Sequence, residues 1–500
     1  MPFTDADYRD MQGLLRFGYV HLTEACFLLL RIEDAAAAGH WLESAPVATA
    51  EEQKPSPKTA LQIALTCEGL RKLGLPEDLL SGFSAEFLSG MSGDENRSRR
   101  LGDVGENAPS YWGWGGPSDV PDAVVLLYAR PGLLEEWKRS IETGLKNSGF
   151  KLLQCLPTSD MGGVEPFGFV DGVSQPTLDW EGRRDVSGDQ LTYGNVTMLG
   201  EFVLGYPNEY GKYTTRPVIP GHETGGLPAA DDSEGYSDLG RNGSYLVIRQ
   251  IEQDVRGLWQ FLDKQVSGDA SKRQTLAEKM VGRQMSGDSL LPMTDQSISG
   301  VGPDKEDIQR NQFTFDGDAD GVRCPFGAHV RRANPRNADY PAGTHDLLEK
   351  LIRLLGFGRK SIRDDMVAST RFHRLVRRGR EYGTKLSPDQ RLQPKPPDEA
   401  ASGLEFVCLN ANISRQFEFI QSAWLMSGKF DGLNEEGDPL LGNREAVAGC
   451  PVDKFSLPVA GGVRQQIQGL PRFTTVRGGA YFFLPGVRAL RYLARIAKFD

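Results

Sequence analysis

An aspartate lies between glycines in Gly168-Phe169-Val170-Asp171-Gly172, with Phe167 and Val173 on its borders. Glycine lets a backbone turn sharply and approach a planar ligand closely, and the apolar neighbours would desolvate the carboxylate and perturb its pKa. A carboxylate placed this way can take and return protons. A buried turn whose aspartate satisfies nearby amides accounts for the same pentapeptide, so other segments must decide.

Two later segments favour chemistry. In Cys324-Pro325-Phe326-Gly327-Ala328-His329-Val330-Arg331-Arg332 a histidine follows an apolar stretch and precedes arginines, and Arg374-Leu375-Val376-Arg377-Arg378-Gly379-Arg380 supplies a second basic cluster. A histidine at an apolar surface, with cations able to hold carboxylates, is the layout expected of an axial haem ligand with anchors for the propionates. The plainer alternative is a satisfied core histidine beside a solvated basic face.

Gly-x-x-Asp-Gly, then His-x-Arg at 329–331, then Arg-Arg-Gly at 377–379 is an order that resembles the dye-decolourising haem peroxidases. The resemblance runs from residues 65–75 to 478–485 and is greatest to the longer members. It implies an α+β fold of two ferredoxin-like modules packed sheet to sheet around a haem pocket. It also implies one non-covalent haem b, hydrogen peroxide as oxidant, and bulky organic reductants such as anthraquinone or azo dyes and phenolics.

By that resemblance His329 ligates the iron, Asp171 shuttles a peroxide proton, and Arg377 supplies fixed positive charge, since arginine stays protonated at ordinary pH. Arg331 becomes a propionate partner. Tyr382 becomes a site of surface electron transfer, with Trp424 a weaker choice. An acid from a late strand should receive the second ring nitrogen of the histidine, which fixes the tautomer and raises ligand basicity. Asn412 stands where that acid is expected, so Glu405, Glu418 or a backbone carbonyl are left as partners. Asp171 acting as a base also predicts an acidic activity optimum.

Two other readings stay open. A haem-binding or haem-handling protein would need the histidine but no acid–base pair, so Asp171 together with Arg377 is the feature that separates it from a peroxidase. Cys324 and Cys450, each followed by proline, could offer a thiolate to the iron. No Cys-x-x-Cys-His occurs, so covalent c-type attachment is not expected.

The elements that must position these residues are legible as periodicity. Strands are expected at 25–32, 59–65, 123–128 and 151–156, with helices at 34–42, 68–73 and 133–147. That order is the β-α-β-β-α-β ferredoxin-like unit. A strand at 244–249 leading into a helix at 255–264, with later elements at 404–409, 413–425 and 480–484, suggests a second copy. The modules are expected at 1–215, carrying the aspartate loop, and 216–500, carrying His329 and Arg377. An insertion at 345–364 separates the last two.

Composition sets the outer bounds. The chain has 500 residues, 39% hydrophobic and 25% charged, which suits a large globular protein. A formal charge of −10 disfavours nucleic acid as a partner, which needs a basic surface able to displace counterions. The acidic N-terminus and the lack of a long apolar run predict no signal, no membrane and a cytoplasmic location. Six dispersed cysteines suggest neither a zinc site nor a disulfide framework.

Overall fold

The computed structural model describes residues 4–184, 194–222, 224–293, 310–336, 351, 370–446 and 449–498. Apart from Leu351, the expected insertion at 345–364 lies outside the described residues.

Four strands form the first unit: β1 (Glu24–Ile32), β2 (Thr59–Leu65), β3 (Ala123–Ala129) and β4 (Phe150–Pro157). β1 and β3 are apolar on both faces because both are covered, and every residue of β3 is buried. Helix α1 (Ala35–Ser44) follows β1, started by Asp34, whose side chain accepts the Ala37 amide. Helix α2 (Leu134–Leu145) is amphipathic and turns Ile141 and Leu145 inward.

The second unit repeats the plan with β5 (Ser244–Gln253), helix α3 (Val255–Gln265), helix α4 (Ala270–Val281), the short helix α5 (His329–Ala333), the interrupted strand β6 (Val376–Arg377) and β7 (Arg380–Tyr382), then β8 (Gly403–Asn410) and β9 (Thr474–Leu484). Its second crossover is wound with the wider turns of a π-helix over Ser414–Glu418 and Ile420–Met426. Such turns recur at functional sites.

All of these strands join in one antiparallel sheet ordered β6-β8-β5-β9-β2-β3-β1-β4, with β7 also beside β8. Each half places its strands in the order second, third, first, fourth, so the duplication expected from element order is present in the pairing itself. The α+β class and the two ferredoxin-like units stand as expected. The two units meet where Leu65 stands opposite Phe483, which joins their sheets edge to edge.

Both faces of this continuous sheet carry a core that crosses the join. Leu28, Leu61, Val247 and Phe483 belong to one, and Phe27, Leu126, Ile248 and Phe482 to the other. On the first face α1 lies against the C-terminal helix α6 (Val487–Ile496). A Cβ at Gly39 would come within 2.5 Å of the Ala494 carbonyl, so only glycine permits this approach.

Neither α4 nor α6 was expected from the sequence. β6 and β7 were missed because neither exceeds three residues. β1–β4 fall within 1–215 and β5–β9 within 216–500.

Candidate active site

Alternate residues of β5 turn Arg249, Ile251 and Gln253 toward a cavity of about 290 Å³. The π-helical crossover closes it with Phe417, Ile420 and Leu425, and the aspartate loop with Phe167, Phe169 and Val173. Asp171, His329 and Arg377 all reach this wall. The first unit's last strand leads into the aspartate loop while the second unit supplies the other two side chains, so the site depends on the join between the halves.

The loop is held by Glu165. Its carboxylate accepts the amides of Phe167 and Phe169, each at 2.9 Å, and burial pushes its carboxyl up to about 7 against those bonds. Gly168 (φ 107°) and Gly172 (φ 80°) then turn the chain through conformations that a side chain disfavours.

Asp171 Oδ1 accepts Arg377 Nη1 at 2.7 Å. Burial would raise the Asp171 carboxyl, but Arg377 and the Gly172 amide hold it below the usual aspartate range. It is therefore an anion ready to accept a proton. Gln175 fixes the backbone of Arg377 as a strand neighbour would: its Oε1 accepts the Arg377 amide at 3.0 Å and its Nε2 donates to the Arg377 carbonyl at 3.2 Å.

His329 opens α5, and its Nδ1 lies 2.9 Å from Asp438 Oδ2. Asp438 is fully buried, and its other oxygen accepts the Leu440 and Leu441 amides at 2.9 and 2.8 Å. Burial alone would raise this carboxyl; His329 and Arg332 keep it below the ordinary range. Burial likewise opposes a charged His329, and Asp438 overrides it, holding the imidazole above the usual histidine value. An anionic Asp438 fixes the proton on Nδ1 and leaves the Nε2 lone pair for a metal.

Haem fits these residues. The wall is largely apolar, one imidazole nitrogen is prepared for iron, and buried polar atoms at the cavity lack partners among the described residues. These include His373 Nε2, Asn334 Oδ1, and Arg249 Nε and Nη1. Such atoms are costly when unpaired and suit an amphiphilic ligand.

The structure thus brings together Asp171, Arg377 and His329, and it moves several other assignments. Arg331 is buried away from the cavity, its Nη1 donating to the Cys324 carbonyl at 2.8 Å and to Asp318 Oδ2 at 3.2 Å; it is no propionate anchor. Tyr382 is only 9% exposed, with its phenol pushed upward by burial, so it does not present a surface for electron transfer. Trp424, 8% exposed, is held edge-on to His373 with ring centroids 5.3 Å apart.

Asp438 takes the place offered to Asn412, Glu405 or Glu418. Asn412 caps the Arg415 amide at 2.8 Å, Glu405 accepts Gln250 at 3.0 Å, and Glu418 pairs with Arg97 at 2.7 Å. Cys324 is buried outside the cavity with its thiol pushed up to about 12 by burial, and Cys450 is exposed, so neither offers a thiolate. Asp438, Glu165 and Gln175 escaped sequence reasoning. The only available signal was for Glu165, three residues before the motif and flanked by apolar neighbours.

An imidazole oriented by a carboxylate and an ion-paired acid face one apolar cavity on a duplicated ferredoxin-like α+β scaffold, an arrangement suited to proton transfer beside a ligated metal. Known proteins agree. The chain is 28% identical over 453 residues to the multifunctional dye peroxidase DyP2 of Amycolatopsis sp., covering 87% of this chain and 82% of that protein. It is 27% identical to the dye-decolorizing peroxidase AauDyP1 of Auricularia auricula-judae, covering 97% and 87%.

A solved fungal DyP-type peroxidase from Auricularia auricula-judae superposes with a TM-score of 0.70 at 23% identity, over 98% of this chain and 99% of that one. No family model matches. Over most of its length the chain is similar to dye-decolourising peroxidases.

Proposed function

We propose that the protein binds one non-covalent haem b through His329 and uses hydrogen peroxide to oxidise bulky organic reductants, with Asp171 as the proton shuttle and Arg377 as its electrostatic partner. The observation that carries this reading is the 2.7 Å pair of Asp171 and Arg377 on the same cavity as His329. Haem handling requires no such pair. A related dye-decolorizing peroxidase has been solved with 2,6-dimethoxyphenol, which supports a phenolic reductant.

The residues divide the work. When bound, haem supplies the redox chemistry that links peroxide reduction to oxidation of the organic substrate. Asp171 takes the proton from one peroxide oxygen and returns it to the other, so that water departs instead of hydroxide. Arg377 keeps Asp171 ionised beforehand and offsets the negative charge that develops as the O–O bond breaks. Asp438 holds the His329 tautomer, and the apolar walls exclude water that would dilute these charges.

A cytoplasmic placement accords with six cysteines dispersed along the chain with no Cys-x-x-Cys pair. Among the described residues no helix is long and apolar enough to cross a membrane.

Absorption spectra of haem-reconstituted wild type and His329→Ala, before and after one equivalent of hydrogen peroxide, test the assignment. A histidine-type ferric spectrum lost in the variant, with a peroxide-induced change that an added dye reverses, supports it. Stable haem binding with only slow bleaching would turn the reading toward haem handling.

A further inference from the structure

Glu165 makes a closed set of bonds around the loop that ends at Asp171. Its amide donates to the Phe169 carbonyl at 2.9 Å, and its own carbonyl accepts the Gly168 amide at 2.8 Å. Oε2 accepts the Phe167 amide and Oε1 the Phe169 amide, each at 2.9 Å. One residue therefore fixes both sides of the turn two residues before the acid. Gln253 Nε2, from β5 of the other unit, donates to Glu165 Oε2 at 2.9 Å.

Neighbouring groups hold the same turn without replacing Glu165. The Trp259 indole donates to the Phe167 carbonyl at 2.9 Å, and the Arg391 guanidinium packs where a Cβ on Gly168 would stand, 2.4 Å from Nη1. Both bear on the outer side of the loop. Glu165 lies on the cavity side, where it and Gln253 line the wall with Asp171, and it makes no bond to Arg377 or His329.

We propose that Glu165 is a positioning residue for the peroxide reaction: its carboxylate sets the turn that places Asp171 against Arg377, and Gln253 registers that turn on the second unit's sheet. This rests on Asp171 being the proton shuttle. A carboxylate accepts both amides, whereas glutamine in its place offers one acceptor and presses an N–H₂ against an N–H donor. The loop then relaxes, and a small displacement of a proton-transfer group costs much of its rate.

The test uses holoprotein of wild type, E165Q, D171N and the E165Q/D171N double variant, all at a pH above the Glu165 value of about 7 so that the wild-type residue is a carboxylate. The second-order rate constant for the peroxide-induced absorption change is read beside the ferric spectrum and the KM for dye. The expected result is a loss of between about tenfold and a hundredfold in E165Q, with the ferric spectrum and dye KM kept, and less than about a twofold further loss when E165Q is added to D171N.

An E165Q rate equal to wild type, or the same fold loss in both backgrounds, overturns the proposal. A D171N rate equal to wild type removes the shuttle assignment and this inference with it, a result distinct from the first two. Should E165Q fail to fold, amide exchange in the wild type decides. Phe167 and Phe169 amides protected as strongly as those of β5 support the clamp, and rapid exchange at both sinks it.

Discussion

Asp438 Oδ2 stands 2.9 Å from His329 Nδ1 across 109 residues of sequence, and it is held there by two backbone amides of its own loop. The proximal side is thus organised from the protein outward: amides fix the carboxylate, the carboxylate fixes the imidazole tautomer, and the imidazole presents Nε2 to the cavity. Asp438→Asn retains the shape but donates or accepts weakly where an anion stood. Haem affinity should fall between about tenfold and a hundredfold, measured as haem transfer to an apoprotein acceptor. Unchanged transfer kinetics would remove Asp438 from the ligand set.

On the opposite partner, the sign of the Asp171 shift gives a pH prediction. Burial raises its carboxyl, and Arg377 together with the Gly172 amide more than reverses this, so the ionised base survives to below the usual aspartate range and the peroxide reaction should stay fast in mild acid. Arg377→Met removes the chief opposing charge and leaves the Gly172 amide against burial. The acid limb of kcat/KM for peroxide should then move up by about 1 to 3 pH units, in addition to any loss at its plateau. A limb that stays in place would show that another group titrates it.

The parts of the site that could be read from sequence are those carried by contiguous motifs: Asp171 between its glycines, His329 after its apolar run, Arg377 before Arg378 and Gly379. Asp438 had no such signal, because a carboxylate reached through a loop is matched to its histidine only by the fold. The Arg331 assignment failed for a local reason. Two residues apart on a helix are about 200° apart around its axis, so His329 and Arg331 on α5 face away from each other. Long, doubly buried strands such as β1 and β3 were plain, whereas β6 and β7 are too short to show alternation and owe their pairing to β8.

Glu405 gives a stability prediction with a definite window. Burial pushes its carboxyl up to about 8, above the 4.5 of an ordinary glutamate, so the folded protein holds a proton that the unfolded chain releases between these values. The stability it contributes is whole below pH 4.5 and is lost as pH rises through 8. Glu405→Gln removes the titration and keeps an acceptor for Gln250. The variant should match wild type near pH 4.5 and exceed it above pH 8 by on the order of 5 kcal/mol. Urea unfolding at both pH values checks this, and an equal difference at the two would refute it.

Arg331 separates a haem anchor from a structural cation. Its guanidinium lies 4.5 Å from the Phe315 ring centroid and 4.4 Å from that of Phe326, and it pairs with Asp318, which is 3% exposed. Arg331→Met keeps much of the contact with the rings but leaves the Asp318 carboxylate buried without its cation, a change that costs about 3 to 5 kcal/mol when a buried pair is broken. Thermal unfolding of the apoprotein should therefore shift strongly downward, while haem titration of the folded variant gives the wild-type affinity and ferric spectrum. A propionate anchor would give the reverse pattern, weak haem binding on a fold of unchanged stability, and that outcome would return Arg331 to the site.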